Sequence, residues 1–272
     1  MEKPNVSHCV EENEVHYNQY HDYSKDYLTL ESLENDNTFV WESRDGSYSY
    51  TGNPISYSLD NGKTWNSLSD GVIATVNSGD KILLKAINSS YSYTGYSGLM
   101  LTCGIYSSYS FNAYGNILSM IFGDDFTNTN NKLNGLIFTF KESEIISAEN
   151  LIMPSEFDTS GSLYRVFYRC ESLVTAPSIL PATTLPDYCY QNMFGGCTSL
   201  VTAPELPATT LANGCYTEMF HGCTSLTTEA QVPNDVTPIA GTYCAYMYCN
   251  CPITTPNGNY DELAYQCEQS PK

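Results

Sequence analysis

Positive charge is scarce in this 272-residue chain: 11 Lys and Arg stand against 30 Asp and Glu, a formal net charge of -19. A surface of that sign repels phosphate backbones, which excludes a nucleic-acid partner. Charge of either sign is sparse, at 15% of residues, while tyrosines number 23. An acidic disordered chain has the opposite balance, so a folded protein is expected, long enough to bury a core without a metal. No stretch approaches the roughly 18 apolar residues of a membrane span, so no membrane insertion is expected. The N-terminus, MEKPNVSHCVEENEVHYNQYHDY, lacks the apolar run of a secretory signal. Synthesis in the cytoplasm is therefore expected, with any exit by another route such as lysis.

Catalytic signatures are also missing. No G-x-S-x-G, HExxH, P-loop or dinucleotide fingerprint occurs. Of the four histidines, His8, His16 and His21 lie in the first 21 residues, and His221 replaces the Gly195 of a preceding repeat. Carboxylate pairs such as Asp124-Asp125 and Asp261-Glu262 are adjacent in sequence, a placement that points side chains apart on a strand. No enzyme, catalytic residue or cofactor is expected. The alternative is a glycan-processing enzyme with two unrecognised carboxylates.

Eleven cysteines are present, an odd number. Cys170, Cys197, Cys223 and Cys251 follow one another at 27, 26 and 28 residues, and each trails an apolar pair: Val166-Phe167, Met193-Phe194, Met219-Phe220, Met247-Tyr248. A second series, Leu163, Cys189, Cys215 and Tyr243, precedes the pair. The units LYRVFYRCESLVTAPSILPATTL (163–185), CYQNMFGGCTSLVTAPELPATTL (189–211) and CYTEMFHGCTSLTTEAQVP (215–233) are plain copies. A weaker copy, LIFTFKESEIISAENLIMP (136–154), and an end unit, YCAYMYCNCPITTP (243–256), make about five units of 26–29 residues. SLVTAP reads as a short strand ended by proline and LPATTL as a second extended piece. CYQNMF reads as one helical turn with Cys189 and Met193 on one face. One unit cannot bury its apolar face alone, but stacked units can. Phe167, Cys170, Cys189, Met193, Phe194, Cys197, Cys215, Met219, Phe220 and Cys223 are accordingly expected to form buried ladders. Reduced, buried thiols are preferred over disulfides, which in-register neighbours would strain, and over zinc, because Cys244, Cys249 and Cys251 match no ribbon spacing.

The repeat C-TSL-x-T-AP-x-LPATTL-x-x-x-CY-x-x-MF-x-G-C closely resembles the BspA-like leucine-rich-repeat family, over about 136–256 and most strongly in 163–233. Members occur on the surfaces of gut and oral anaerobes of the Bacteroidetes type and in phages that infect them. The resemblance implies a right-handed solenoid used for binding, often adhesion, and carries over no catalytic residue. Members often place a β domain ahead of the repeats.

The N-terminal half reads as β. YLTLESL (27–33), NTFVWES (37–43), VIATV (72–76), KILLKAI (81–87) and LMLTC (99–103) are strand-like runs between turn signals. A small sandwich or open barrel is expected. SYSYTG recurs at 47–52 and 90–95, and SYSF stands at 108–111, as strand ends or loops; NILSMIFGDDF (116–126) reads as a strand or short helix joining the two halves. SYSLDNGKTW (56–65) looks like the Asp-box of sialidases. The physics of that motif is local: Asp60 accepts backbone donors, Gly62 allows a positive φ, and Trp65 packs beneath the hairpin. A structural hairpin is expected, because a sialidase needs several boxes and an arginine cluster, and the chain has only Arg44, Arg165 and Arg169. His8, Cys9, His16 and His21 fit no metal-ligand spacing, so no metal is expected. Val15, Tyr17, Tyr20, Tyr23 and Tyr27 suit an arm that docks on a partner and orders there.

The expected organisation is a mainly β protein with short helical turns. Residues 1–26 form an extended docking arm, 27–122 a β-sandwich-like domain, 123–256 the leucine-rich-repeat solenoid and 257–272 a tail. Its expected function is that of a non-enzymatic virion protein, attached to the capsid or tail as a fibre or decoration. The arm and β domain would contact other virion proteins, and the solenoid a host-surface glycan or protein. The alternatives are a bacterial cell-surface adhesin and a cytoplasmic protein-interaction solenoid. A trimer is the candidate homo-oligomer. Gln191, Asn192, Thr217, Glu218 and His221, which vary between units, are the expected exposed binding positions.

Overall fold

The computed structural model of the chain describes residues 21–43, 54–87, 101–128, 132, 136–137, 139–158, 160–231, 233, 237–238 and 244–253. Both SYSYTG strings, most of the N-terminal arm and the tail beyond residue 253 lie outside them.

The protein is mainly β. In chain order the first strands are β1 (Leu28–Ser32), β2 (Asn37–Ser43), β3 (Ile55–Ser58), β4 (Asn66–Leu68), β5 (Gly71–Val76), β6 (Lys81–Ala86), β7 (Leu101–Ser107) and β8 (Phe111–Asn116). One helical turn, α1 (Ser119–Phe122), follows. Then come β9 (Leu136–Ile137), β10 (Ile145–Ser147), β11 (Leu151–Ile152), β12 (Thr184–Leu185), β13 (Thr210–Leu211) and β14 (Thr237–Pro238). The runs read from sequence at 27–33, 37–43, 72–76 and 81–87 are β1, β2, β5 and β6. FNAYGN, which becomes β8, was not recognised as a strand. Its inward Phe111 and Ala113 alternate with polar residues, and Gly115 obscures the pattern.

Two open sheets form the N-terminal half. One runs β10-β8-β1-β6-β3-β4, with β11 also on β8; the other runs β5-β2-β7-β9. Phe39 of β2 meets Phe111 of β8 edge-on, ring centroids 5.2 Å apart, so the two sheets share a core. The sheets do not end at the first half. β8 pairs in parallel with β10 and β11, and β7 in parallel with β9. The segment 116–126, expected as a strand or short helix, holds α1, whose Ser119 hydroxyl donates to the Leu84 carbonyl and accepts from the Leu28 amide. The joint is made by strand pairing, because β7 and β8 present open edges that the first repeat extends.

From Leu136 onward successive repeats lie one on another as coils. Thr175 bridges Ser147 and Thr202 in parallel, and Thr202 bridges Thr228. β12, β13 and β14 form a parallel ladder on a second line. SLVTAP and LPATTL are thus extended, as their composition indicated.

The third side of each coil is not the helical turn expected of CYQNMF. Every fourth residue there has a positive φ: Gly161, Arg165 and Arg169, then Tyr188, Asn192 and Gly196, then Gly214, Glu218 and Gly222. A helix cannot tolerate that reversal. Amides instead alternate between two kinds of partner. Those of Leu163, Arg165, Phe167 and Arg169 donate to Cys189, Gln191, Met193 and Gly195 of the next coil, at 2.8–3.2 Å. Those of Tyr164 and Tyr168 donate three residues back, to Gly161 and Arg165. The i, i+4 spacing did identify a shared inner face, since Cys189 and Met193 are both fully buried. It did not distinguish a helix from a chain of turns with the same four-residue period.

These bonds also correct one repeat alignment. Leu163 donates to Cys189, and Tyr190 to Cys215, so Leu163 is level with Tyr190 and the buried Ser162 is level with Cys189. The two copies keep one offset of 27 residues throughout, so the first clear copy begins at Ser162 rather than at Leu163.

All ten expected ladder residues, from Phe167 to Cys223, have no exposed surface. Phe140, Phe167, Phe194, Phe220 and Tyr248 stack almost parallel, with centroids 5.4, 5.2, 5.6 and 5.5 Å apart. Strand spacing alone would give about 4.8 Å; the extra distance is the sideways offset that ring quadrupoles favour. In the series that follows the rings, each thiol donates to a carbonyl of the coil before it: Cys170 to Phe140, Cys197 to Phe167, Cys223 to Phe194 and Cys251 to Phe220, at 2.7–3.1 Å. Ser143 takes the cysteine's place in the first coil, 3.7 Å from the Cys170 sulfur. Burial pushes the Cys170 thiol up to about 12, which suppresses the reactive thiolate. Cys170, Cys189, Cys197, Cys215, Cys223, Cys244 and Cys251 are free thiols. Cys249, expected to be reduced, is disulfide-bonded.

Tyr190 and Tyr216 stack beside this spine at 6.1 Å, both buried, and their hydroxyls lack a hydrogen-bond partner among the described residues. An unsatisfied buried hydroxyl costs free energy. Tyr190→Phe is therefore expected to leave stability unchanged or raise it by up to about 1 kcal/mol. A fall in the urea midpoint at constant m-value would show that the hydroxyl is satisfied.

Candidate functional site

Three surfaces carry clustered polar or charged side chains. The first is the outer side of the turn ladder. Because Arg165, Asn192, Glu218 and Tyr246 share the left-handed position of successive coils, they form one row across the stack. Asn192 Nδ2 donates a short hydrogen bond to Glu218 Oε2. That bond buries Asn192 to 4% exposure, which corrects its expected place on the surface. Gln191, Thr217, Glu218 and His221 are half-buried rather than fully exposed. His221 contacts Asn250 at 3.4 Å, and the hydroxyl of Tyr188 accepts from Asn213 Nδ2 at 2.6 Å. The side chains of Tyr188, Asn192 and His221 reach along the stack to the next coil, so variation between units does not by itself mean exposure.

The same face carries a cationic and aromatic cluster that the sequence reading did not single out. The Arg165 guanidinium carbon lies 4.8 Å from the Tyr164 ring centre and 4.7 Å from that of Tyr168. Arg169 lies 5.6 Å and the Lys141 ammonium 5.9 Å from the Tyr168 ring centre. Glu142 pairs with Lys141 at 3.4 Å and with Arg169 at 3.9 Å. The signal was present in YRVFYR (164–169), where tyrosine and arginine alternate at four-residue spacing.

The second surface is a polar cleft of about 440 Å³ where β1, β6 and β8 meet the first coil; His21, Tyr23, Asp26, Glu31, Lys81 and Tyr114 are among its lining residues. Tyr23 meets Tyr114 edge-on at 5.4 Å, and Lys81 sits 5.5 Å over the Tyr114 ring. The Tyr114 hydroxyl holds the Lys81 ammonium above its ordinary value, and burial raises the Tyr114 phenol. His21 Nε2 is 2.5 Å from Asp26 Oδ2, so the histidine is held by a carboxylate.

The third is the Asp-box hairpin between β3 and β4. Asp60 accepts from the Thr64 amide at 2.9 Å, the Thr64 hydroxyl at 2.7 Å and the Ser58 hydroxyl at 2.8 Å. Gly62 has φ 82°, and the indole of Trp65 packs beneath it. The motif closes its own turn, as its local physics indicated. Bonds to Thr64 and Ser58 hold the Asp60 carboxyl down at about 2. A folded-state value below the ordinary 3.8 means that the loop gains stability above that value and loses it as pH falls through about 2. The Asp60 carboxyl resonance should therefore titrate with a midpoint near 2; a midpoint near 4 would show that these bonds do not form.

Of the expected docking arm, Val15, Tyr17 and Tyr20 lie outside the described residues, as do His8, Cys9 and His16. Tyr23 and Tyr27 pack on this chain's own sheets. The Tyr27 ring meets Trp65 at 5.0 Å, and its hydroxyl donates to Asp124 at 2.6 Å, which Lys85 also reaches at 2.6 Å. Burial, then Asp124, pushes the Tyr27 phenol up to about 12. These two tyrosines are therefore engaged within the chain. Among the described residues no group of three or more His, Cys, Asp or Glu could hold a metal ion, and no helix is long and apolar enough to cross a membrane.

Comparison with protein-family models, curated proteins and solved structures found no match.

Proposed function

We propose that this chain is a non-enzymatic structural and binding protein of a phage particle. In this reading a BspA-like leucine-rich-repeat solenoid, capped by a β-sandwich-like unit, presents its turn face to a host-surface glycan or protein. The carrying observation is the parallel ring stack from Phe140 to Tyr248. It occupies the inward positions with near-identical residues, while a second row varies, with Arg165, Glu218 and Tyr246 half-buried and Asn192 buried. A constant spine with a varied outer row is the arrangement of repeat proteins that recognise ligands. The reduced cysteine ladder supports assembly in a reducing compartment, as a virion protein made in the host cytoplasm requires. Attachment to the particle falls to the arm and β domain, and a trimer is the proposed oligomer.

A second reading, a bacterial cell-surface adhesin, is favoured by the oxidised Cys249. Mass spectrometry decides between them. The virion reading expects the chain in purified particles. Its absence from particles, with recovery from the envelope of uninfected cells, would establish the adhesin instead.

A further inference from the structure

We infer that Arg165, clamped between Tyr164 and Tyr168, is a binding site for a single anionic group, a carboxylate or sulfate, carried on an otherwise neutral sugar chain. The inference rests on the proposed recognition role of the turn face and specifies its ligand chemistry.

Arg165, like Lys63 and Lys81, differs from the other five cations among the described residues. Lys25, Lys85, Lys132, Lys141 and Arg169 each have a carboxylate within 4.0 Å. Arg165 has none among the described residues, although acids outnumber bases 30 to 11 in the sequence. Its Nε is buried and has no hydrogen-bond partner among the described residues. Two tyrosine rings flank it, at 4.8 and 4.7 Å, and hold the guanidinium without using its N–H donors. It also sits at φ 58°, a conformation that costs a residue with a Cβ about 1 kcal/mol or more and that the next coil gives to asparagine. An arginine flanked by rings, without an ion pair among the described residues and placed on a strained backbone, is a prepared receptor for a planar or tetrahedral anion.

Electrostatics narrows the ligand. Arg165, Arg169 and Lys141 outnumber the nearby Glu142 and Glu218, whose charge reaches Tyr164, and leave a weak local positive patch on a chain of net charge -19. A polyanion would meet repulsion from the rest of the surface, whereas one acidic sugar among neutral ones meets only the patch. The tyrosines beside the arginine suit the apolar faces of pyranose rings.

The test measures binding of the full chain to galactose, galacturonic acid and galactose 6-sulfate oligosaccharides of equal length at physiological salt. Wild type should bind an acidic probe and not the neutral one; the two acidic probes separate carboxylate from sulfate. Arg165→Asn, which installs the residue of the next coil, should lower acidic-probe affinity roughly 10–100-fold. Arg165→Lys should recover only part of it, because a point charge lacks the fork. Circular dichroism of Arg165→Asn must match wild type, and Arg169→Asn serves as a second variant with a smaller expected loss. Equal affinity of wild type and Arg165→Asn for every probe would overturn the inference. If the neutral probe binds and the acidic ones do not, the anion site is lost while the recognition role stands. If the chain binds neither these probes nor intact host cells, the recognition role fails too.

Discussion

Phe194→Ala is expected to lower the unfolding free energy by about 3–5 kcal/mol, the range for emptying an aromatic site in a close-packed core. Phe194 has no exposed surface and lies between Phe167 and Phe220, at 5.2 and 5.6 Å. Removing the ring breaks two offset stacks and leaves a cavity that the neighbours cannot close. Their backbones are pinned by the amide bonds from Phe167 to Met193 and from Phe194 to Met219, each 2.9 Å. The loss corresponds to roughly 10 °C in Tm for a chain of this size. Phe194→Leu, which keeps most of the volume, should cost about 1–2 kcal/mol. Because each coil contacts chiefly its neighbours, amide exchange should accelerate first in residues 163–223 and later in β1. A Tm within 2 °C of wild type for Phe194→Ala, on the scale of about 1 kcal/mol or less, would contradict the shared spine.

Gly115→Ala should be nearly as damaging, for a different reason. Gly115 has φ 83°, and a Cβ built on it would lie 2.2 Å from the Tyr27 carbonyl oxygen and 2.9 Å from its carbon. Both atoms are backbone, and they are fixed. The Asn116 amide donates to the Asp26 carbonyl at 2.8 Å, and the Gly115 amide donates to Asn150 at 3.2 Å. Left-handed strain contributes about 1–2 kcal/mol. Overpacking against an immobile backbone adds about 1–3 kcal/mol. The expected total, about 2–5 kcal/mol, falls where β8 pairs with β1 on one side and β11 on the other, so the seam between the sheets and the first coil should loosen. The check is a denaturation midpoint together with exchange rates in 111–116 and 145–152. An unchanged midpoint would mean that β1 can shift away from β8.

The candidate site was less legible than the core. Phe167, Cys197 and Met219 could be read as buried because the repeat copies them with near-constant spacing, and burial demands sameness. The outer row follows no such rule. Asn192 varies between units, yet it is buried by Glu218, a partner 26 residues away that no local pattern identifies. Arg165 and Tyr168 were visible as YRVFY, but their mutual placement depends on the reversal of φ at Arg165, which composition does not encode. Likewise Tyr23 and Tyr27 read as a sticky arm, and only the fold shows them resting on Tyr114 and Trp65 of the same chain.

What the amino-acid order alone determined was whatever depends on period and local chemistry: the strands β1, β2, β5 and β6, the Asp60 hairpin, the repeat and its buried ladders. Hydrophobic burial recurs at the spacing of the units, so it is written in the chain itself. What only the tertiary structure decided was where hydrogen bonds go once coils lie side by side. The amides of Leu163 and Phe167 bond to the next coil rather than within a helix, β8 joins the first half to the second, and the Arg165 Nε is left without a hydrogen-bond partner among the described residues. Those outcomes depend on which distant groups arrive at each donor, and sequence spacing carries no record of that.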